Sequence, residues 1–258
     1  TYALAIDEGP KHAPERTALS AERAGNGYRL SGRKTFVADG AGAGRVLVLA
    51  RTAGTPGEAA GLSLFDIDAD RAGLARAPLD TVDARDHAQL DFDGVEATGD
   101  DLLGDADDAM RLLRPALDAG QAALAAEMAG LAGGISAMTL GYLKERRQFD
   151  RTIGSFQALQ HRAAHLWAEI EVTASAIANA GRVLDETPDD ATLAVSLAKA
   201  RATQTADLAV REGIQMHGGI GMTDDHDAGF FMKRARVGAE WLGDYGYHAA
   251  RVAAARGF

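Results

Sequence analysis

No cysteine occurs among the 258 residues. That excludes disulfides, thiolate catalysis and cysteine-built metal sites, and it is compatible with a cytoplasmic setting, which is the location expected. Positive charge is in short supply: Lys and Arg total 27 against 37 Asp and Glu, a formal charge of -10. Nucleic acids and anionic membranes are held through clustered cations, so neither is an expected partner. A local basic site for a phosphorylated cofactor stays open. No stretch approaches the roughly 20 uninterrupted apolar residues of a membrane span. The opening Thr1-Tyr2-Ala3-Leu4-Ala5-Ile6 has no cationic leader and reads as a strand already under way, so no signal peptide is expected. There is no internal repeat and no low-complexity tract.

What is present is ordinary globular material, 47% hydrophobic and 25% charged, whose hydrophobic period changes near residue 100. Before that point short β-type runs alternate with turn residues. Val46 to Ala50 is a continuous apolar run, as in a strand buried on both faces. Leu62 to Ile67 is a second candidate, and Ala88, Leu90 and Phe92 alternate with polar residues at the period of a half-buried strand. Gly25-Asn26-Gly27 and Asp93-Gly94 supply the positive φ angles of tight turns. The expectation is a small antiparallel β barrel or sandwich over 1–100.

Beyond it, over 101–258, the pattern predicts an up-down four-helix bundle, which makes the chain α+β. Leu124, Met128, Leu131, Ile135, Met138 and Tyr142 form one apolar stripe; Leu159, Ala163, Leu166, Ile170 and Ile177 form another. An alanine-rich third helix is expected from about Asp190 to His217, after a turn at Asp185 to Asp190 carrying Pro188, and a fourth from about Val237 to Ala255. The small residues Ala129, Gly130, Ala132, Gly133 and Gly134 point to close approach by another helix, within the subunit or across an oligomer interface.

Three segments are candidates for chemistry. In the loop from Glu145 to Gln157, the plain reading is cations at a helix C-terminus, with Ser155 capping the next helix. The same arginines beside Gln148, Gln157 and Phe149 also suit phosphate and adenine recognition, because guanidinium forks bind phosphate oxygens bidentately. In Gln215-Met216-His217-Gly218-Gly219-Ile220-Gly221 the glycines are first a helix stop. Alternatively, their missing side chains admit a cofactor to the backbone. The spacing is not a dinucleotide fingerprint, and His217 reads as structural. Asp224-Asp225-His226-Asp227 superficially resembles a metal site, but acidic residues before a helix are usually caps, and no metal is expected. The seven histidines offer no convincing Ser-His-Asp order.

Taken together, four segments in order resemble the acyl-CoA dehydrogenase family over essentially the whole chain. They are Gly27 to Val37, Phe92 to Val95, Arg146-Arg147-Gln148-Phe149 with Ile153 to His161, and Gln215 to Thr223. The resemblance implies a middle β domain and a C-terminal four-helix domain, without the family's N-terminal helical domain. It also implies FAD as cofactor, an acyl-CoA thioester as substrate, and electron-transfer flavoprotein as a possible acceptor. On the family pattern Arg146, Gln148, Phe149, Gln157, Gln215, Gly218 and Gly219 grip the ADP half of a neighbouring subunit's FAD.

The departures fall on the chemistry. The family's glutamate base, which removes the proton α to the thioester, is matched by Leu242 in Trp241-Leu242-Gly243-Asp244. The alternative base position of some relatives is matched by Gly120. A flavin-bonding threonine is matched by Ala38 and a tryptophan by Phe36, and Asp7-Glu8-Gly9-Pro10-Lys11-His12 replaces a Gly-Ser-Asp stretch. No catalytic residue is therefore assigned. The pattern resembles the small, base-lacking subunits of heteromeric bacterial members, pimeloyl-CoA dehydrogenase among them. The expected partner is a homologous dehydrogenase subunit. The competing expectations are a homo-oligomer with a displaced base, Glu240 or Asp244 or a group in the missing domain, and a scaffold that binds no flavin. Oxidase and nitroalkane-oxidising relatives share the pattern.

Overall fold

The computed structural model describes every residue from Thr1 to Phe258. They form two compact units, Thr1–Ala116 and Leu117–Phe258. The divide falls within the first helix, beyond the change of hydrophobic period. Leu102–Leu103 is still a strand, and Leu62 bridges to Asp108, so this stretch stays tied to the sheet.

The first unit is one sheet of eight strands: β1 (Tyr2–Ala5), β2 (Ser20–Ala24), β3 (Gly27–Ala38), β4 (Arg45–Arg51), β5 (Leu62–Asp68), β6 (Leu74–Pro78), β7 (His87–Ala97) and β8 (Leu102–Leu103). Their order is β6-β7-β3-β2-β4-β5-β8, with β1 on β4. Pairing is antiparallel except that β1, and one residue of β2, run parallel to β4. The apolar run in β4 is buried as its sequence requires, Val46, Val48, Leu49 and Ala50 all being inaccessible. Tyr28 meets Phe65 edge-on across the same core.

Two ladder irregularities matter. Asp93-Gly94 does take positive φ at Gly94, but it is a bulge inside β7 and not a turn. The two residues lie opposite the single Ser31, between the pairs Leu30–Val95 and Gly32–Phe92. A second bulge on β3 lies between the pairs Lys34–Leu90 and Val37–Ala88, and puts Phe36 at φ 51°. A bulky residue in that region is strained, and the bulge turns an aromatic ring outward, 51% exposed.

In the second unit α1 (Ala109–Glu145) continues from the first, and a two-strand hairpin, β9 (Arg147–Gln148) and β10 (Arg151–Thr152), leads to α2 (Gln157–Glu186). Then come α3 (Ala191–His217), α4 (Ala228–Glu240) and α5 (Tyr245–Ala255). Side-chain pairs give the directions. Arg162–Glu212 and Arg201–Glu169 make α2 and α3 antiparallel. Asp118–Thr192 and Met128–Thr203 make α1 and α3 parallel. Glu127–Arg234 and Gln121–Leu242 run α4 back along α1. The expected up-down bundle results. Its core is Leu124, Met128 and Ile135 of α1, Leu166 of α2 and the alanines of α3. α3 approaches closely where it carries glycine: a Cβ on Gly213 would lie 2.7 Å from Ile135. By length and composition α1 resembles a membrane-crossing helix, yet Leu124, Ala125, Met128, Ala132 and Ile135 belong to this core.

The fourth helix differs from expectation. It begins at Ala228, stops at Glu240, and a new helix starts at Tyr245. The break follows from Leu242 and Gly243 at φ 55° and 107°, after which the Asp244 carboxylate caps α5 through the Tyr247 amide at 2.8 Å. Two expected caps are absent. Ser155 donates to the Thr152 carbonyl, and Asp227 makes no side-chain cap bond. The amide of Ala228, which opens α4, is met by His226 Nδ1 instead.

Candidate functional site

One end of the second unit gathers both candidate motifs. The C-terminus of α1, the β9–β10 hairpin, the N-terminus of α2 and the C-terminus of α3 meet there. The contacts are Tyr142 against His217, with ring centroids 4.7 Å apart, and Gly154 packed on Leu143. Arg146, Gln148, Phe149, Gln157, Gln215, Gly218 and Gly219 are all exposed at this end. The side chains of Arg146, Gln148, Gln157 and Gln215 make no hydrogen bond within the chain, although each is built to make several. Phe149 is 85% exposed at φ 52° and meets Phe156 edge-on, while Arg151 lies 4.0 Å over the Phe156 ring. Gly218 needs its glycine for φ 68°. Gly219 does not: its φ is not in the left-handed region, and an added Cβ would meet nothing within 4 Å. Nothing inside the unit explains the missing side chain, whereas a ligand pressed against the backbone would. Exposed guanidinium, amides, an aromatic and bare backbone suit a phosphate-bearing aromatic nucleotide, and the donor set fits the ADP half of FAD.

The opposite end holds the two positions matched to the family's base. Gly120 of α1 and Leu242 of the α4–α5 turn face one another, for a Cβ on Gly120 would sit 3.2 Å from Leu242 Cδ1. Neither carries an ionisable group. The turn between them is nevertheless held firmly through its carbonyls. Gln121 Nε2 and His248 Nε2 both donate to the Leu242 carbonyl, at 3.0 and 3.1 Å. Lys199, wholly buried, donates to the carbonyls of Gly238 and Gly243 at 2.9 and 3.0 Å, and reaches Thr203 Oγ1 at 3.3 Å. The Gly238 carbonyl is one that the α4 C-terminus leaves without a helical partner, and the other two belong to the turn that follows. Burial lowers the Lys199 amine to about 8, opposed by the charges of Asp244 and Glu240. Sequence reasoning missed Lys199, Gln121 and His248; a lysine inside an alanine-rich apolar stretch was the available sign.

In the first unit the Asp7 to His12 segment is wired internally. The Asp7 carboxylate takes His12 Nδ1 and the Ala13 amide, both at 2.9 Å. Glu8 takes Lys34 Nζ at 2.9 Å together with the amides of Ala18 and Leu19. Lys34 is fully buried, and burial lowers its amine to about 8 despite Glu8. No three histidine, aspartate or glutamate side chains converge as metal ligands in either unit.

A β-sheet unit followed by an up-down bundle defines an α+β class of fold, and the comparisons narrow it. Residues 110–256 match the family described as "Acyl-CoA dehydrogenase, C-terminal domain". The short/branched chain specific acyl-CoA dehydrogenase of Rattus norvegicus mitochondria is 30% identical over 86% of this chain and 52% of its own length. The acyl-CoA dehydrogenase structure from Geobacillus kaustophilus matches 100% of this chain and 69% of that one at TM-score 0.91 and 25% identity. A chain of the ChsE4-ChsE5 complex from Mycobacterium tuberculosis matches 98% of this chain and 65% of its own at TM-score 0.83 and 26% identity. The chain belongs to the acyl-CoA dehydrogenase family, whose members are FAD flavoproteins. It spans about half the length of that rat relative.

Proposed function

We propose that this chain is a subunit of an FAD-dependent acyl-CoA dehydrogenase that completes the FAD site of a homologous, base-bearing partner. On this reading Arg146, Gln148, Gln157 and Gln215 bind the pyrophosphate and adenosine, Phe149 lies against the adenine, and Gly218 and Gly219 admit the nucleotide to the backbone. Bound there, FAD would supply the acceptor for the β hydride, with electron-transfer flavoprotein as a possible onward acceptor of the electrons. The proton α to the thioester is removed by the partner. The observation that carries the reading is the facing of Gly120 and Leu242, which leaves the family's two base positions without a carboxylate.

The displaced-base alternatives have less support. Asp244 is spent on capping α5, and Glu240 pairs with Arg236 one turn back on its own helix. Asp7 and Glu8 are engaged with His12, Lys34 and three backbone amides. Relatives include a chain from a structure titled as a complex of two differently named components, which is compatible with a mixed assembly here. The test is the visible spectrum and native mass of the chain, purified alone and with a homologous dehydrogenase subunit. Flavin bands confined to the mixed complex, and bleached by an acyl-CoA, support the proposal. Flavin and bleaching in the lone chain overturn it in favour of a homo-oligomer. No flavin in either preparation leaves a scaffold.

A further inference from the structure

Two histidines sit beneath the Gly218–Met222 turn with their proton positions fixed by the backbone. His217, the last residue of α3, is 3% exposed, and its Nδ1 lies 2.7 Å from the Gly213 carbonyl. A carbonyl only accepts, so Nδ1 carries the proton and buried Nε2 is a bare lone pair with no partner. His226 has the converse arrangement. Its Nδ1 accepts from the Ala228 amide at 3.2 Å, so that nitrogen carries no proton. The rings are 4.3 Å apart, with Tyr142 of α1 against the other side of His217. Gly221 packs on the turn's own support, since a Cβ there would be 3.0 Å from His217 Cβ and 2.9 Å from the Ile214 carbonyl.

Each neutral form is demanded locally. A second proton on His217 would enter a buried site that offers no acceptor. A second proton on His226 would set N–H against N–H at Ala228, beside the positive end of the α4 dipole. Both together would stack two cations. The other titratable groups near the pair are Tyr142, in ring contact with His217, and Asp224, Asp225 and Asp227, which share the loop with His226. For His217, burial, the largest influence, holds its pKa below the ordinary value, with His226 adding to the depression and the Gly213 carbonyl opposing it.

We propose that His217, packed against His226, is the positioning residue of the Gly218–Met222 turn and makes this end of the bundle release its nucleotide in mild acid. The proposal rests on the reading of this end as the FAD grip. Because the neutral form of His217 is the one the fold accepts, the closed turn is complete above the ordinary histidine value near 6.5 and is lost as pH falls below it, by up to about tenfold per pH unit for the one proton taken up. His217→Gln keeps an amide N–H to offer the Gly213 carbonyl and has no proton to gain.

The first measurement is hydrogen exchange of the Gly218–Met222 amides at pH 7.5 and 5.5, corrected for intrinsic rates, in wild type and His217→Gln. The expected result is about tenfold deprotection of the wild type at pH 5.5, with much less in the variant and no change in the β-sheet unit. Equal acid responses in the two proteins, or none, overturn the latch. The second is FAD retention by the mixed complex over the same pH range, followed by flavin fluorescence. Retention at pH 7.5 that is lost at 5.5 only in wild type supports it, and pH-independent retention in wild type overturns it. Failure to hold FAD even at pH 7.5 overturns the grip reading instead, and the exchange measurement then decides the latch alone.

Discussion

Replacing Lys199 with methionine should change how the helical unit responds to alkali. The Lys199 amine has no exposure and bonds to the carbonyls of Gly238 and Gly243, and burial lowers it to about 8. In the unfolded chain it returns to about 10.4. Between those values the unfolded state holds a proton that the folded state has released, so folding becomes more favourable as pH rises through the window. A neutral amine still has two N–H groups for the two carbonyls. At about 1.4 kcal/mol per unit, the gain from pH 7 to pH 10 is about 2 to 3 kcal/mol. Methionine keeps the length and loses the titration. The gap between wild type and Lys199→Met should therefore widen by that amount over the interval. Urea unfolding followed by tryptophan fluorescence suits the measurement, because both tryptophans, Trp167 and Trp241, lie in the helical unit and Trp241 adjoins the turn. Lys34 titrates in the same range but in the other unit, and it is common to both proteins. Parallel pH curves for wild type and variant would refute the reasoning.

Glu8→Gln removes the anionic partner of buried Lys34; it should cost the β-sheet unit about 3 kcal/mol at pH 7, with part regained at pH 10 once the amine is neutral, as read by circular dichroism melts. Gly219→Ala should leave the melting temperature of the chain within about a degree, since nothing lies within 4 Å of the new methyl, while weakening FAD retention by the mixed complex about tenfold or more through overpacking at about 1 to 3 kcal/mol. Gly120→Leu should destabilise the helical unit by about 1 to 3 kcal/mol against Leu242. Leu242→Ala in the same chain should restore most of that, and additivity in the double-mutant cycle would deny that the two positions face each other.

The sequence made the elements legible wherever one periodicity held without interruption. Val46 to Ala50, the stripe from Leu124 to Tyr142, and Asp190 to His217 became β4, the core face of α1, and α3. It misled where backbone dihedrals overrode the pattern. Val237 to Ala255 has helical periodicity throughout, but positive φ at Leu242 breaks it, and leucine gives no warning of a left-handed conformation that bonds from other helices enforce. Gly94 announced its dihedral correctly but not whether it belonged to a turn or a bulge, which depends on the register against Ser31. The residues proposed to bind the nucleotide could be singled out from the sequence because exposed arginine, glutamine and glycine cluster in two short segments. The support of the α4–α5 turn was not, since Gln121, Lys199 and His248 are far apart in sequence and act through carbonyls that every residue possesses.

That last point explains how the turn keeps its conformation with leucine at position 242. The hydrogen bonds that Gln121, Lys199 and His248 make to Gly238, Leu242 and Gly243 end on backbone oxygens. The conformation of the turn is therefore indifferent to whether residue 242 is a carboxylate or an alkyl group. An isolated carboxylate there would carry a desolvation cost, whereas Leu242 packs against the bundle core and costs nothing of the kind. The nucleotide end is governed differently. Arg146, Gln148, Gln157 and Gln215 contribute no bond to their own unit, so altering them should leave the fold intact and remove only what binds from outside. The support of the turn and the proposed binding thus fall to different side chains, and substitutions of Arg146, Gln148, Gln157 and Gln215 can test binding without disturbing the turn.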